Sequence, residues 1–280
     1  MNTIKFTKMH GLGNDHIIID LFKETLPNPH ELAPRMCDRH LGVGADGLIL
    51  IGPSEKYDFM MRVINSDGSE SEMCGNGIRC LARYVIETGL TDKTEFFTET
   101  LNGSHLQEAH LVNGIFVDVT TAMGKPVLNR KSIPMIGEDS EMVVNEELIV
   151  GDTPYRINLV NVGNSHCVVF VDDVDSADLR TIGPQFEHHP SFPSRINTEF
   201  VQILDKNNIR MRVWERGSGE TMACGTGAAA SVVAAILNDL TFNTVMVHLK
   251  YGDLIIEWKN REELYMTGGA EKVFTGKYKI

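Results

Sequence analysis

Residues 61–91 (MRVINSDGSESEMCGNGIRCLARYVIETGLT) align without a gap on residues 211–241 (MRVWERGSGETMACGTGAAASVVAAILNDLT). Ten of the 31 positions are identical at a constant offset of 150, among them Arg62/Arg212, Glu70/Glu220, Cys74/Cys224, Gly75/Gly225 and Gly77/Gly227. Gly13-Asn14-Asp15-His16 falls on Gly163-Asn164-Ser165-His166 in the same register, and an apolar run follows each. Two separate stretches in one register point to a duplication. A period near 150 is too long for a solenoid, so the chain is read as two homologous domains.

Each half has the same order: short β-rich runs with turn residues, a loop ending in Cys-Gly-x-Gly, then a helical stretch. The first helix is expected over about residues 78–87, with Gly89 placed to end it. The second is expected over about 228–237 and is apolar on almost every side, which places it inside something. Short strands around such helices predict an α+β fold of two pseudo-symmetric homologous domains, each a curved antiparallel-rich sheet or open barrel wrapped around a central helix. The pseudo-twofold relation then sets the two helix starts opposite each other at the domain interface, a usual place for a small-molecule cleft.

Several function classes are excluded. A formal charge of −12 with scattered basic residues argues against a nucleic-acid or anionic-membrane partner. The most apolar stretch, residues 228–237, is half the roughly 20 residues a spanning helix needs. The N-terminus lacks the apolar core of a signal peptide and reads as a first strand, so a cytoplasmic location with reduced thiols is expected. The five cysteines (Cys37, Cys74, Cys80, Cys167, Cys224) are an odd number, which suits no disulfide scaffold. They lack zinc-ligand spacing, so no metal is expected. Gly42-Val43-Gly44-Ala45-Asp46-Gly47 matches the dinucleotide fingerprint as letters, but it precedes an apolar β-like run instead of opening a helix after a strand, and is rejected.

A cysteine taken alone is a small packing residue, and duplication would preserve a packing role too. Gly-flanked loops are poor packing sites, however, and a cysteine at a helix start sits in the positive end of the dipole, where its pKa can fall from about 8.5 into the range of roughly 3.5–7.5. The glycines leave backbone N–H groups uncovered for a carboxylate. Two such sites facing each other provide what reversal of a stereocentre requires: a base on one face of a carbon and an acid on the other. Two adjacent thiolates would repel, so the resting pair should share one proton. Charge developing on the substrate would be taken up by the helix-start donors, with no cofactor as electron sink.

Asn65-Ser66-Asp67-Gly68-Ser69-Glu70 leading to Cys74-Gly75-Asn76-Gly77-Ile78-Arg79-Cys80, and Glu215-Arg216-Gly217-Ser218-Gly219-Glu220 leading to Ala223-Cys224-Gly225-Thr226-Gly227, resemble the diaminopimelate epimerase family. Lys8-Met9-His10-Gly11-Leu12-Gly13-Asn14-Asp15, Phe192-Pro193-Ser194-Arg195-Ile196-Asn197 and Leu264-Tyr265-Met266-Thr267-Gly268 add further landmarks, so the resemblance covers the whole chain. It implies conversion of LL-2,6-diaminopimelate to the meso form, in lysine and cell-wall precursor synthesis, without cofactor or metal, by a homodimer. The domains are set at residues 1–119, completed by 268–280, and 120–267, with the active site in the cleft between them.

By the resemblance, Cys74 serves the LL substrate and Cys224 the meso one. Gly75, Asn76, Gly225 and Thr226 present donors to the α-carboxylate, with Asn14 near the reacting end. Asn65, Asn164, Asn197, Glu215 and Arg216 hold the distal amino-acid group, a division that suits their chemistry, since arginine and amides bind a carboxylate and Glu215 an ammonium. His166 and Glu215 help set the thiol pKa values. Bland alternatives stand beside these roles: Asn14 and Asn164 as turn formers, Arg216 as a solvated loop charge, His166 as a satisfied buried histidine. Glu70 and Glu220 are expected to cap their loops. Three positions depart from the family pattern: Ser165 stands for its usual proline and is expected to loosen the loop carrying Asn164 and His166, His16 for an aromatic residue whose space it fills, and Gly47 for a glutamine of some members. The competing functions are a racemase of another amino acid and a thiol redox or metal-binding protein.

Overall fold

A computed structural model describes residues 3–280, and the chain divides into two compact units, 3–122 with 267–280, and 123–266. In chain order the first unit holds β1 (Thr3–Gly11), β2 (Asn14–Asp20), α1 (Pro29–Cys37), β3 (Gly47–Gly52), β4 (Phe59–Asn65), β5 (Glu70–Ser71), α2 (Gly75–Glu87), β6 (Glu95–Thr100), β7 (Gly103–Val112) and β8 (Ile115–Gly124). The second holds β9 (Glu146–Val150), β10 (Thr153–Asn161), β11 (Ser165–Phe170), α3 (Leu179–Glu187), β12 (Asn197–Ile203), β13 (Asn208–Glu215), β14 (Gly219–Thr221), α4 (Gly225–Leu237), β15 (Thr244–Leu249) and β16 (Gly252–Lys259). β17 (Glu263–Gly268) leads out of it, and β18 (Glu271–Lys279) returns to pair antiparallel with β1.

The duplication is visible strand by strand. In the first unit β1–β2 is antiparallel, β2–β3 parallel, β3–β4 antiparallel and β4–β6 parallel. In the second β10–β11, β11–β12, β12–β13 and β13–β15 repeat that order of senses. Helices α2 and α4 are 150 residues apart at both ends, as are α1 and α3. The fold is therefore α+β with two homologous repeats, as the sequence led us to expect.

One helix of each unit lies within its sheet. α2 packs against β1, β2, β3, β4, β7 and β18, and α4 against β10, β11, β12, β13, β15 and β16. α4 is buried along almost its whole length because alanines at 228–230, 234 and 235 let the strands approach it from every side. α1 covers the outer face of β3 and β4, so Leu48, Leu50 and Ile64 face Leu32 and Met36 while Ile49, Ile51 and Val63 face α2. β3 is thus buried on both faces and reads as a continuous apolar run.

The helices begin three residues before the expected 78 and 228. Gly-Asn-Gly and Gly-Thr-Gly have low helix propensity and read as loop, but a cap offsets that cost. α2 ends as expected at Gly89 (φ +66°): its N–H bonds to Ile86 O and that of Leu90 to Val85 O, a Schellman closure. α4 closes identically through Asp239 (φ +55°), a residue that tolerates the left-handed region less well.

Candidate active site

The caps of α2 and α4 are the two cysteines themselves. Cys74 is extended (φ −138°, ψ 112°) and its Sγ accepts the Gly77 N–H at 3.3 Å. Cys224 (φ −127°, ψ 110°) does the same with Gly227 at 3.4 Å. Each sulfur thus takes the place of the serine or aspartate oxygen usual at a helix start, where a negative charge is favoured. The second glycine of each motif closely approaches a side chain of the strand beneath it. A Cβ on Gly77 would lie 2.6 Å from Ile49 Cδ1, and one on Gly227 2.7 Å from Glu199 Oε1.

In the first unit the groups around Cys74 are fixed by a chain of hydrogen bonds. Asn14 donates through Nδ2 to Asp46 (2.7 Å), which leaves its Oδ1 pointing back to the site. That oxygen accepts from Asn76 Nδ2 (3.1 Å), and Asn76 Oδ1 in turn accepts from the fully buried Arg79 (2.8 Å). His16 Nε2 is 2.8 Å from the same Asn14 oxygen. An amide oxygen has no proton to give, so Nε2 carries the hydrogen. The Cys74 sulfur lies 3.7 Å from Nε2 and 3.8 Å from Asn14 Oδ1. His16 therefore does more than fill an aromatic residue's space. Asp46 belongs to the glycine-rich segment that resembled a dinucleotide fingerprint, and it braces Asn14 and the backbone of Asp15.

The second unit repeats this plan with different chemistry. His166 Nε2 is 2.8 Å from Asn164 Oδ1, but its Nδ1 is 2.7 Å from Glu199 Oε1, with both side chains wholly buried. Cys224 Sγ stands 3.4 Å from Thr226 Oγ1. Asn197 donates to Ser165 O (2.8 Å) and accepts the backbone N–H of Arg216 (2.9 Å), which anchors the β13–β14 hairpin tip. The Arg216 side chain is exposed and reaches Ser194 O at 3.1 Å. Glu215 accepts the Thr221 hydroxyl. Ser165 is buried at the first position of β11, paired with Asn161.

These surroundings set the thiols apart. Burial pushes Cys74 up, but the His16 ring, with the N–H groups of Gly77 and Asn76, outweighs it and holds the thiol below its ordinary value. Burial, the Glu215 charge and the Glu199 charge all push Cys224 well above it. The other three cysteines are buried packing residues: burial raises Cys37 and Cys80 to about 12 and Cys167 well up.

The structure thus gathers Asn14, Cys74, Gly75 and Asn76 at the start of α2. It gathers Asn164, His166, Asn197, Glu215, Arg216, Cys224, Gly225 and Thr226 around the start of α4 and the adjoining hairpin. Asn65 lies in the first unit at the end of β4, its amide engaged with Ser69 (2.9 Å) and Ser71 (3.1 Å). Glu70 and Glu220 do not cap their loops. They take bidentate or paired contacts from Arg62 and Arg212, bracing the β4–β5 and β13–β14 hairpins, which accounts for both repeated pairs. Sequence reasoning missed Glu199. Its signal was an acid in an apolar strand at the position where the first repeat has Ile49.

The duplicated α+β fold is shared with solved structures. A phenazine biosynthesis protein of the PhzF family from Bacillus anthracis superposes with TM-score 0.71 at 17% identity, each chain covered in full. A hydroxyproline epimerase from Agrobacterium vitis superposes with TM-score 0.69 at 13% identity, over 99% of this chain and 91% of that one. At such identities the likeness speaks for the fold alone. The sequence profile of the diaminopimelate epimerase family matches residues 6–129 and 158–273, and the chain belongs to that family. A diaminopimelate epimerase of Pelotomaculum thermopropionicum is 52% identical over 276 residues, 98% of each chain. One of Methanococcus maripaludis is 46% identical over 278 residues, 99% of this chain and all of its own.

Proposed function

We infer that this chain is an isomerase that interconverts LL- and meso-2,6-diaminopimelate by two-base chemistry at one α-carbon. The observation that carries the reading is the repeated cap: Cys74 and Cys224, 150 residues apart, each hold their sulfur on the third N–H of a duplicated helix start. Such a group is a base when ionised and an acid when protonated, and the two surroundings favour opposite states.

In the LL direction the Cys74 thiolate removes the α-proton. The electron pair passes into the α-carboxylate, which the helix-start N–H groups of Gly75, Asn76, Gly225 and Thr226 hold as charge develops. The Cys224 thiol then delivers its proton to the opposite face, leaving Cys74 protonated and Cys224 ionised. The meso direction reverses each step. Asn65, Asn164, Asn197 and Arg216 receive the distal carboxylate and Glu215 the distal ammonium. Paired thiols that must stay reduced suit a cytoplasmic setting, and no helix among the described residues is long and apolar enough to cross a membrane. A homodimer is part of the same reading, and sedimentation of the purified protein tests it.

The test is turnover of LL-diaminopimelate in heavy water. Solvent deuterium should enter the product epimer with little early wash-in to recovered substrate. Cys74→Ala and Cys224→Ala should each lose about 10²–10⁴-fold in rate. Full epimerisation by either variant would sink the two-base reading. Fast racemisation of a proteinogenic amino acid with no diaminopimelate turnover would replace the substrate.

A further inference from the structure

His16 and His166 are equivalent in the repeat, yet they are held differently. Both rings present Nε2 to an asparagine oxygen at 2.8 Å. The other nitrogen of His166 meets the Glu199 carboxylate, whereas Nδ1 of His16 is buried with no partner among the described residues. The cause is a single position. Glu199 and Ile49 occupy the same place under their helix starts, as the approach of each to the Cβ position of its glycine shows. The His16 strand neighbours, Met9 on β1 and Gly47 on β3, bring no charge.

We propose that His16 is a positioning residue that makes Cys74, and not Cys224, the resting thiolate, by holding the edge of its ring that donates to Asn14 Oδ1 within 3.7 Å of the Cys74 sulfur. A helix start carries about half a positive charge, enough to favour one anion. At α4 that place is taken by the buried Glu199, with Glu215 close by, so a second negative charge on Cys224 is disfavoured. At α2 the corresponding side chain is apolar, and the sulfur is the anion the site can hold. The titratable groups facing Cys74 are His16 from β2 and Arg79 and Cys80 from α2 itself. Those facing Cys224 are Glu215 from β13 and Glu199 from β12. The ring presents its Nε2–H on the side of Asn14 and Cys74, and its Nδ1 has no acceptor among the described residues. The consequence is an enzyme poised at rest for one direction, the one in which Cys74 is the base. That consequence rests on the two-base reading, but the assignment of the thiolate does not.

The experiment is pulse alkylation of the whole protein with iodoacetamide from pH 5 to 10. Each cysteine is read by peptide mass spectrometry and normalised to its own high-pH plateau, so no turnover is needed. In the wild type Cys74 should reach half its plateau at lower pH than Cys224, and the reverse order overturns the proposal. In His16→Phe the Cys74 half-point should rise by about one pH unit, a loss of about tenfold in alkylation rate at pH 7, with Cys224 unmoved. An unmoved Cys74, or an equal shift of both cysteines, overturns it. His16→Gln, which places an N–H in the same region, should recover part of the shift, and a Cys74 as high as in the Phe variant overturns the N–H assignment. If alkylation behaves as stated while diaminopimelate is not turned over, the proposed function fails and this inference stands.

Discussion

The Nδ1 of His166 lies 2.7 Å from the Glu199 carboxylate, and neither side chain reaches solvent. Removing one member of a buried pair leaves the other uncompensated. Glu199→Ala should therefore cost about 3–5 kcal/mol of folding stability, and the shape-conserving Glu199→Gln markedly less. Urea denaturation reads both. Because Glu199 is, after burial and Glu215, a cause of the raised Cys224 thiol, Glu199→Gln should also bring the Cys224 alkylation profile to lower pH. A variant that loses neither stability nor the high Cys224 profile would show the pair to be inert.

The same carboxylate makes Gly227 harder to replace than Gly77. The Cβ of an alanine at 77 meets the far end of Ile49, which can turn aside, and alanine offers up to about 1 kcal/mol of helix propensity in return. At 227 it meets a carboxylate oxygen tied to His166. We expect Gly227→Ala to lose about 1–3 kcal/mol and Gly77→Ala to stay within about 1 kcal/mol of the wild type. Thermal melts of the two variants decide this, and equal losses would contradict it.

The repeat and the burial of α4 were legible in the sequence because both are patterns of residue type. The helix starts were misplaced by three residues because glycine-rich turns hide a cap that depends on where a sulfur points. Repeated Glu70 and Glu220 were visible as a pair, but their partners Arg62 and Arg212 sit across a hairpin whose register only the fold supplies. Glu199 was one step from legible: extending the 150-residue register to Ile49 exposes an acid where an apolar residue belongs. The contact of His16 with Cys74 was beyond reach, since 58 residues separate them and nothing in spacing predicts a distance of 3.7 Å.

The proposed two-base reaction has Cys74 and Cys224 acting on one carbon, and it predicts that an oxidant joins them. Treatment with diamide is expected to abolish epimerisation with one Cys74–Cys224 crosslinked peptide formed per chain, and dithiothreitol should restore it. Cys37, Cys80 and Cys167, all buried with raised thiol pKa values, should stay unmodified on the same timescale. Activity that survives the oxidant counts against close approach.

Lys8 is almost wholly buried and is paired at 2.5 Å with Asp15, which Arg39 also binds. Lys8 also reaches the Gly44 carbonyl, so this network carries the loop whose Asp46 orients Asn14. Burial raises the Asp15 carboxyl, but hydrogen bonds from Arg39 and Lys8 outweigh it and hold the group well below the usual carboxylate range. A carboxylate lowered in the folded state stabilises fully above its unfolded value of about 3.9, and that contribution is lost as pH falls through the folded value. Wild-type stability should therefore decline below about pH 4, with Asp15 contributing to the slope. Asp15→Asn should remove that part of the slope and, by leaving Lys8 buried without its carboxylate, lose about 3–5 kcal/mol at neutral pH. Replacing both residues, as Asp15→Asn with Lys8→Met, should recover much of the loss, because no buried charge is then left uncompensated. Urea midpoints of the three variants from pH 2.5 to 7.5 measure each term, and an Asp15→Asn protein as stable as the wild type at pH 7 would show that Lys8 does not depend on Asp15.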